Sequence, residues 1–72
     1  MKPNDFPRLR KELESRVLAR TGRRVRNLAV LLSPEGVTLE GNTISFYDKQ
    51  LAQHSVREML PEVRLTNEIV VA

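Results

Sequence analysis

The sequence predicts an α+β fold: a single α-β-β-α-β domain in which two helices pack on one face of a three-stranded mixed sheet. Residues 36–41 and 65–71 both have the composition and alternation of strands, and a segment with helical periodicity lies between them. A right-handed crossover through that second helix places both helices on one face. The chain has 72 residues, enough for one domain, which we assign to residues 6–72 after an N-terminal arm at residues 1–5.

The first helix is expected over residues 6–21. Its apolar side chains recur at spacings of three and four residues and form one stripe, made of Phe6, Leu9, Leu13 and Val17. Gly22 suits the left-handed position that commonly follows the last turn of a helix.

Two strands joined by a tight turn are expected next. Residues 28–32 form an apolar run that is too short for a helix, and residues 33–36 have proline and glycine where a β-turn favours them. Residues 37–40 then alternate apolar and polar side chains, as a half-buried antiparallel partner would. Gly41 indicates a bulge or the end of that strand. Because the run at 28–32 is the most apolar strand, we predict that it is central, with strand order 2-1-3.

The second helix is expected from Ser45 to about residue 60. Ser45 and Asp48 have the spacing of an N-terminal capping box, and Pro61 prevents the helix from continuing. Its predicted core-facing stripe repeats every four residues through Tyr47, Leu51, Ser55 and Met59 and is flanked by Ala52 and Val56. The last strand is apolar on one face except at Asn67, which we expect to lie near a sheet edge or to bond a neighbouring backbone group.

The composition argues against catalysis and against a metal centre. There is no cysteine, and the single histidine, His54, has no carboxylate placed to assist it in acid–base or nucleophilic chemistry. One histidine and scattered carboxylates do not supply convergent metal ligands. Gly36 and Gly41 bracket a strand, whereas a phosphate-binding loop opens directly into a helix. We therefore expect no catalytic residue, no metal and no cofactor.

The sequence also shows no targeting or membrane-spanning segment. No apolar segment of a signal peptide follows Met1, and no run approaches the roughly 18 apolar residues of a spanning helix. We expect a chain without a transmembrane segment, cytoplasmic as written, or envelope-associated if it is part of a longer protein.

Positive charge is concentrated in the first third of the chain. Residues 1–26 contain nine Lys or Arg and three Asp or Glu, whereas residues 27–72 contain three and six. Five arginines near the end of the first helix form the candidate binding patch: Arg16, Arg20, Arg23, Arg24 and Arg26. They either complement the helix dipole and pair locally, as Glu12 would with Arg16, or bind an anionic partner.

Phe46 is the candidate apolar contact. At the start of the second helix it either packs as a staple or is exposed, where it would dip into lipid or meet a partner. Nucleic acid is the less favoured ligand, because the aromatic residues are predicted at core or helix-start positions instead of positions that offer stacking platforms.

Three short segments of the chain together resemble one family. They are Val37-Thr38-Leu39-Glu40-Gly41, the polar-led helix with Ser45, Asp48, Gln50 and Ala52, and Leu65-Thr66-Asn67-Glu68-Ile69-Val70-Val71. This pattern is similar to that of the BON domain, a module of bacterial osmotically inducible and nodulation proteins. The resemblance implies the α-β-β-α-β fold, phospholipid or envelope association, and no catalytic residue. Pro61 and Glu62 differ from the glycine and aliphatic residue usual before the last strand of the family.

We therefore expect a non-enzymatic BON-like binding module. Its basic patch would contact an anionic phospholipid membrane surface or a protein partner. The alternative is a protein-interaction domain that self-associates into a homo-oligomer, for which the uneven charge would allow head-to-tail contacts. Nucleic-acid binding is the third hypothesis.

Overall fold

The computed structural model of the protein describes residues 6–72 and confirms the predicted α-β-β-α-β order. The elements are α1 at Phe6–Arg20, β1 at Arg26–Ser33, β2 at Gly36–Thr43, α2 at Phe46–Met59 and β3 at Leu65–Val71. The arm expected at residues 1–5 lies outside the described residues. α1 packs on β1, α2 packs on β2 and β3, and the two helices contact each other.

The sheet is mixed and has β2 at its centre. β1 pairs antiparallel with β2, β2 pairs parallel with β3, and the strand order is β1-β2-β3. The predicted order 2-1-3 is therefore wrong. Helices cover only one face of this sheet, so its central strand alternates buried Val37 and Leu39 with the less buried Thr38 and the exposed Glu40. A continuous apolar run marks the centre of a sheet that is covered on both faces.

The hydrophobic core lies between the helices and the covered face of the sheet. Nine apolar residues are buried there: Leu13, Val17, Val25, Val30, Val37, Leu39, Ala52, Val56 and Ile69. Leu13 and Val17 confirm the interior half of the stripe predicted for α1, and Leu9 packs against this cluster partly buried.

The buried face of α2 agrees with the predicted one at Ala52, Ser55 and Val56 and differs from it at Tyr47 and Asp48. Tyr47 is 65% exposed, so the prediction that it faces the core is wrong. Asp48, a charged residue, is buried in the first turn, where the sequence pattern predicts Tyr47.

The predicted features at the end of α1 and the start of α2 are present, whereas the strand does not end or bulge at Gly41 as predicted. Gly22 has a φ of +60° and follows α1 in the left-handed conformation. The Ser45 hydroxyl accepts a hydrogen bond from the Asp48 amide at 3.2 Å, which caps α2. β2 continues past Gly41 to Thr43, and the register irregularity lies opposite, within the first residues of β1.

Replacing a core side chain should cost far more stability than replacing an exposed one of similar size. Leu39→Ala, in a fully buried position, is expected to lower the free energy of unfolding by about 2–5 kcal/mol. Ile44→Ala, at a side chain that is 86% exposed, should change it by less than about 0.5 kcal/mol. Urea denaturation followed by circular dichroism measures both, and equal effects would contradict the assignment of the core.

Candidate functional site

Three of the five predicted arginines border one depression where β2 ends. This depression, which we call the basic depression, has a volume of about 400 Å³ and is lined by Arg23, Arg24, Arg26, Asn42, Thr43, Ile44 and Ala72. The end of β3 joins it because the Ala72 amide donates to the Thr43 carbonyl at 2.9 Å. The loop after α1 supplies the arginines, and the loop before α2 supplies the opposite wall.

Arg24, one of the arginines that line the basic depression, makes a bidentate ion pair with Asp48. Arg24 Nε donates to Asp48 Oδ2 at 2.8 Å, and Arg24 Nη2 donates to Asp48 Oδ1 at 2.9 Å. Such paired charge-assisted hydrogen bonds are among the strongest that proteins make. The Asp48 side chain is only 1% exposed, whereas 57% of the Arg24 side chain remains exposed. The pair therefore ties the loop after α1 to the first turn of α2.

The ion pair shifts the titration of both partners. The hydrogen bond from Arg24 lowers the pKa of Asp48 below its ordinary value, against burial, which acts to raise that pKa. The hydrogen bond to Asp48 correspondingly raises the pKa of Arg24. Asp48 also lies in the first turn of α2, where the helix dipole favours a negative charge. Arg24 is thus a structural cation whose charge is largely balanced.

Arg23 and Arg26 are the cations left without such a partner. Both side chains are exposed, and neither makes an ion pair with any residue in the range 6–72. Arg23 follows Gly22 with a φ of +62°, and Arg26 begins β1. Because Asp48 balances the charge of Arg24, the guanidinium groups of Arg23 and Arg26 give the basic depression its net positive charge.

The other two arginines of the predicted patch lie elsewhere. Arg20 donates to Glu58 of α2 at 2.6 Å, so its charge is paired. Arg16 lies on the outer surface of α1, in a separate shallow depression. The predicted local pair of Glu12 with Arg16 is not observed, and the i,i+4 ion pair on α1 joins Arg10 to Glu14 at 3.8 Å. The structure brings together Arg23, Arg24 and Arg26 and separates them from Arg16.

One exposed apolar side chain lines the basic depression, and two more follow it closely in sequence. Ile44, which lines it, is 86% exposed, and Phe46 and Tyr47 are 61% and 65% exposed. Phe46 thus has the exposed position that was one of its two expected states. Sequence reasoning missed Ile44 and Tyr47. The available signal was their place around the helix cap Ser45, where side chains point away from the core.

The described part of the chain contains no cluster of side chains that could bind a metal ion. Within residues 6–72, no three His, Cys, Asp or Glu side chains are close enough to hold a metal ion. His54 is exposed on α2. Nor does either described helix have the length and apolar character needed to cross a bilayer.

Comparison with protein families, curated proteins and solved structures finds no match to this chain.

The ion pair should make stability depend on pH in the acidic range. Because the pKa of Asp48 is lower in the folded chain than in the unfolded one, its contribution is complete above the unfolded value of about 3.9. That contribution is lost as the pH falls toward the lower, folded-state pKa. The stability difference between the wild type and Asp48→Asn should therefore be largest above about pH 5 and shrink below about pH 4.

Urea denaturation at a series of pH values measures this difference. The matched control is Glu68→Gln, which removes an exposed carboxylate with no ion pair to residues 6–72. A stability difference that is independent of pH for Asp48→Asn, or equally large for Glu68→Gln, would contradict the role assigned to the ion pair.

Proposed function

We propose that the protein is a non-enzymatic, BON-like module that docks on anionic phospholipid surfaces through the end of the domain that bears the basic depression. The observation that carries this proposal is that the unpaired Arg23 and Arg26 line the same depression as the protruding Ile44, with the exposed Phe46 two residues further along the chain. Peripheral membrane proteins combine cations that meet lipid phosphates with apolar side chains that enter the acyl boundary.

The expected strength of each contact suits a reversible attachment. A basic residue close to an anionic membrane contributes about 1 kcal/mol. Full burial of a side chain such as isoleucine or phenylalanine contributes about 1.5–3 kcal/mol. No single contact therefore holds the domain on the membrane. Arg23, Arg26 and Ile44, which line one depression, would have to act together with Phe46, which begins α2 two residues after Ile44.

The resemblance to BON domains supports the same proposal from the sequence. That family associates with phospholipid or the cell envelope, and the residues that carry the resemblance mostly build the fold. The proposed contacts come instead from the loop after α1 with the first residue of β1, and from the loop before α2 with the first residue of α2. The Arg24–Asp48 ion pair joins the loop after α1 to the first turn of α2.

Single-stranded nucleic acid is the second candidate ligand. The expectation that aromatic side chains are not available for stacking fails for Phe46 and Tyr47, both of which are exposed. Tyr47 lies close enough to Arg24 to influence its charge. Base stacking on aromatic rings within a positive groove is the usual means of binding single strands. Ile44 distinguishes the two candidates, because an aliphatic side chain enters lipid but offers no stacking surface.

Removal of the two unpaired cations should weaken membrane binding strongly. Arg23→Ala combined with Arg26→Ala should lower the affinity for vesicles rich in phosphatidylglycerol by about 2 kcal/mol, roughly 30-fold. The control, Arg8→Ala combined with Arg64→Ala, changes the net charge equally. Arg64 borders the depression around the β1–β2 turn, and Arg8 lies in the first turn of α1, which starts beside that turn. Co-sedimentation at low salt measures both, and equal losses would contradict the assigned surface.

Apolar insertion can be followed with a single tryptophan, since the chain contains none. In Phe46→Trp, the emission should shift to the blue with anionic vesicles and remain unchanged with phosphatidylcholine vesicles. Ile44→Ser should weaken vesicle binding while leaving any binding of a single-stranded oligonucleotide unchanged. Salt-sensitive binding of the oligonucleotide together with failure to bind any vesicle would favour the second candidate.

A further inference from the structure

The edge strand β1 has the composition of a strand that is paired on both sides. Residues 28–32 are five consecutive apolar residues, without a charge, a proline or a glycine. Yet β1 pairs only with β2, and no segment of residues 6–72 pairs with its other edge. Folded proteins usually protect such an edge with charges, proline or a covering segment, because it offers unpaired backbone groups to another chain.

The backbone groups that face this free edge can be assigned from the register. The Val37 amide donates to the carbonyl just before β3 at 2.8 Å, so Val37 faces away from β1. Backbone groups alternate along a strand, so Thr38 faces β1, where it pairs with Leu31. The same alternation turns the N–H and C=O groups of Val30 and Leu32 outward. A groove of about 210 Å³ runs beside them, lined by Phe6, Pro7, Arg10, Val30, Leu31 and Leu32.

The opposite edge of the sheet is protected by its own side chains. The Ala72 amide bonds to β2, so by alternation Ile69 turns its amide to the outer edge of β3. The Asn67 Oδ1 atom accepts a hydrogen bond from that amide at 3.2 Å, and Asn67 Nδ2 donates to the Lys49 carbonyl of α2 at 2.9 Å. The side chain of Asn67 therefore occupies a position that an added strand would need. Within residues 6–72, the edge at β1 has no such hydrogen-bonding side chain and carries the uninterrupted apolar run.

We propose that β1 is a dimerisation strand that pairs antiparallel with β1 of a second copy of this chain, about a two-fold axis at Val30. This register places Val30 opposite itself and Leu28 opposite Leu32 of the second copy, so the outward backbone groups bond one another. The two sheets join into one, and both of its outer edges are then β3 strands. Association stops at the dimer, because each copy has one open edge.

The side chains at this contact are complementary as well. Leu31, which is 49% exposed, stands opposite Ala29 of the second copy in a closely spaced pair and is covered by it. At either end, Arg26 of one copy lies beside the turn that carries Glu35 of the other, so opposite charges meet. Arg26 is then at the border between the dimer contact and the basic depression. The antiparallel arrangement directs the two basic depressions to opposite ends of the dimer.

The molar mass in solution tests this proposal with a pair of matched variants. The wild type should approach twice the mass of one chain as its concentration rises in light scattering. Leu31→Lys should remain at the mass of one chain, whereas Val70→Lys, at a 59% exposed position on the other edge strand, should behave as the wild type. A monomeric wild type at all concentrations, or a Leu31→Lys variant that still dimerises, would overturn the proposal.

Cysteine cross-linking tests the register itself, and the absence of native cysteine makes single substitutions unambiguous. In the proposed dimer, position 29 faces position 31 of the second copy at a Cα separation of about 4.5 Å, within disulfide range. Two cysteines at position 29 are diagonal neighbours, about 7–8 Å apart. An oxidised mixture of Ala29→Cys and Leu31→Cys should therefore yield mostly the mixed dimer, identified by its mass. Preferential formation of either homodimer, or faster cross-linking of Val70→Cys, would contradict the register.

Discussion

The ion pair between Arg24 and Asp48 is the interaction on which the candidate surface depends. It joins two segments that are distant in sequence, the loop after α1 and the first turn of α2, through a buried carboxylate. Loss of either partner would leave a buried charge or an unanchored loop, and both are costly. The same contact balances the charge of Arg24 and leaves Arg23 and Arg26 as the cations of the basic depression without an ion pair to residues 6–72.

The domain consequently has two different ends. Around the basic depression, unpaired guanidinium groups adjoin protruding apolar side chains, a combination that costs solubility unless something is bound there. Around the β1–β2 turn, the lining residues include both acidic and basic side chains, Glu35, Glu62 and Arg64, and no exposed large apolar residue. The helices and the covered sheet face bury the core between these ends. This division is the reason for proposing the end with the basic depression as the binding surface.

The sequence predicts the fold well because local rules determine its elements. Turn residues, the cap at Ser45 and the stripe through Leu13 and Val17 locate helices and strands without knowledge of the tertiary structure. The predicted strand order was wrong because it rested on the total hydrophobicity of each strand. The deciding feature is which side chains of a strand face the helices. The prediction that Tyr47 faces the core was wrong because a polar residue, Asp48, occupies the buried face. Its partner lies 24 residues away, and no local pattern reveals such a pair.

The most direct test of the central claim is to map, residue by residue, where an anionic bilayer touches the domain. Amide signals of the labelled protein would be recorded by nuclear magnetic resonance with bicelles that contain phosphatidylglycerol. If the domain docks through the basic depression, we expect signal changes concentrated at residues 23–26 and 42–47, with residues 8–16 of α1 unaffected. Changes centred on α1 or on the β1–β2 turn, with none beside the basic depression, would contradict it.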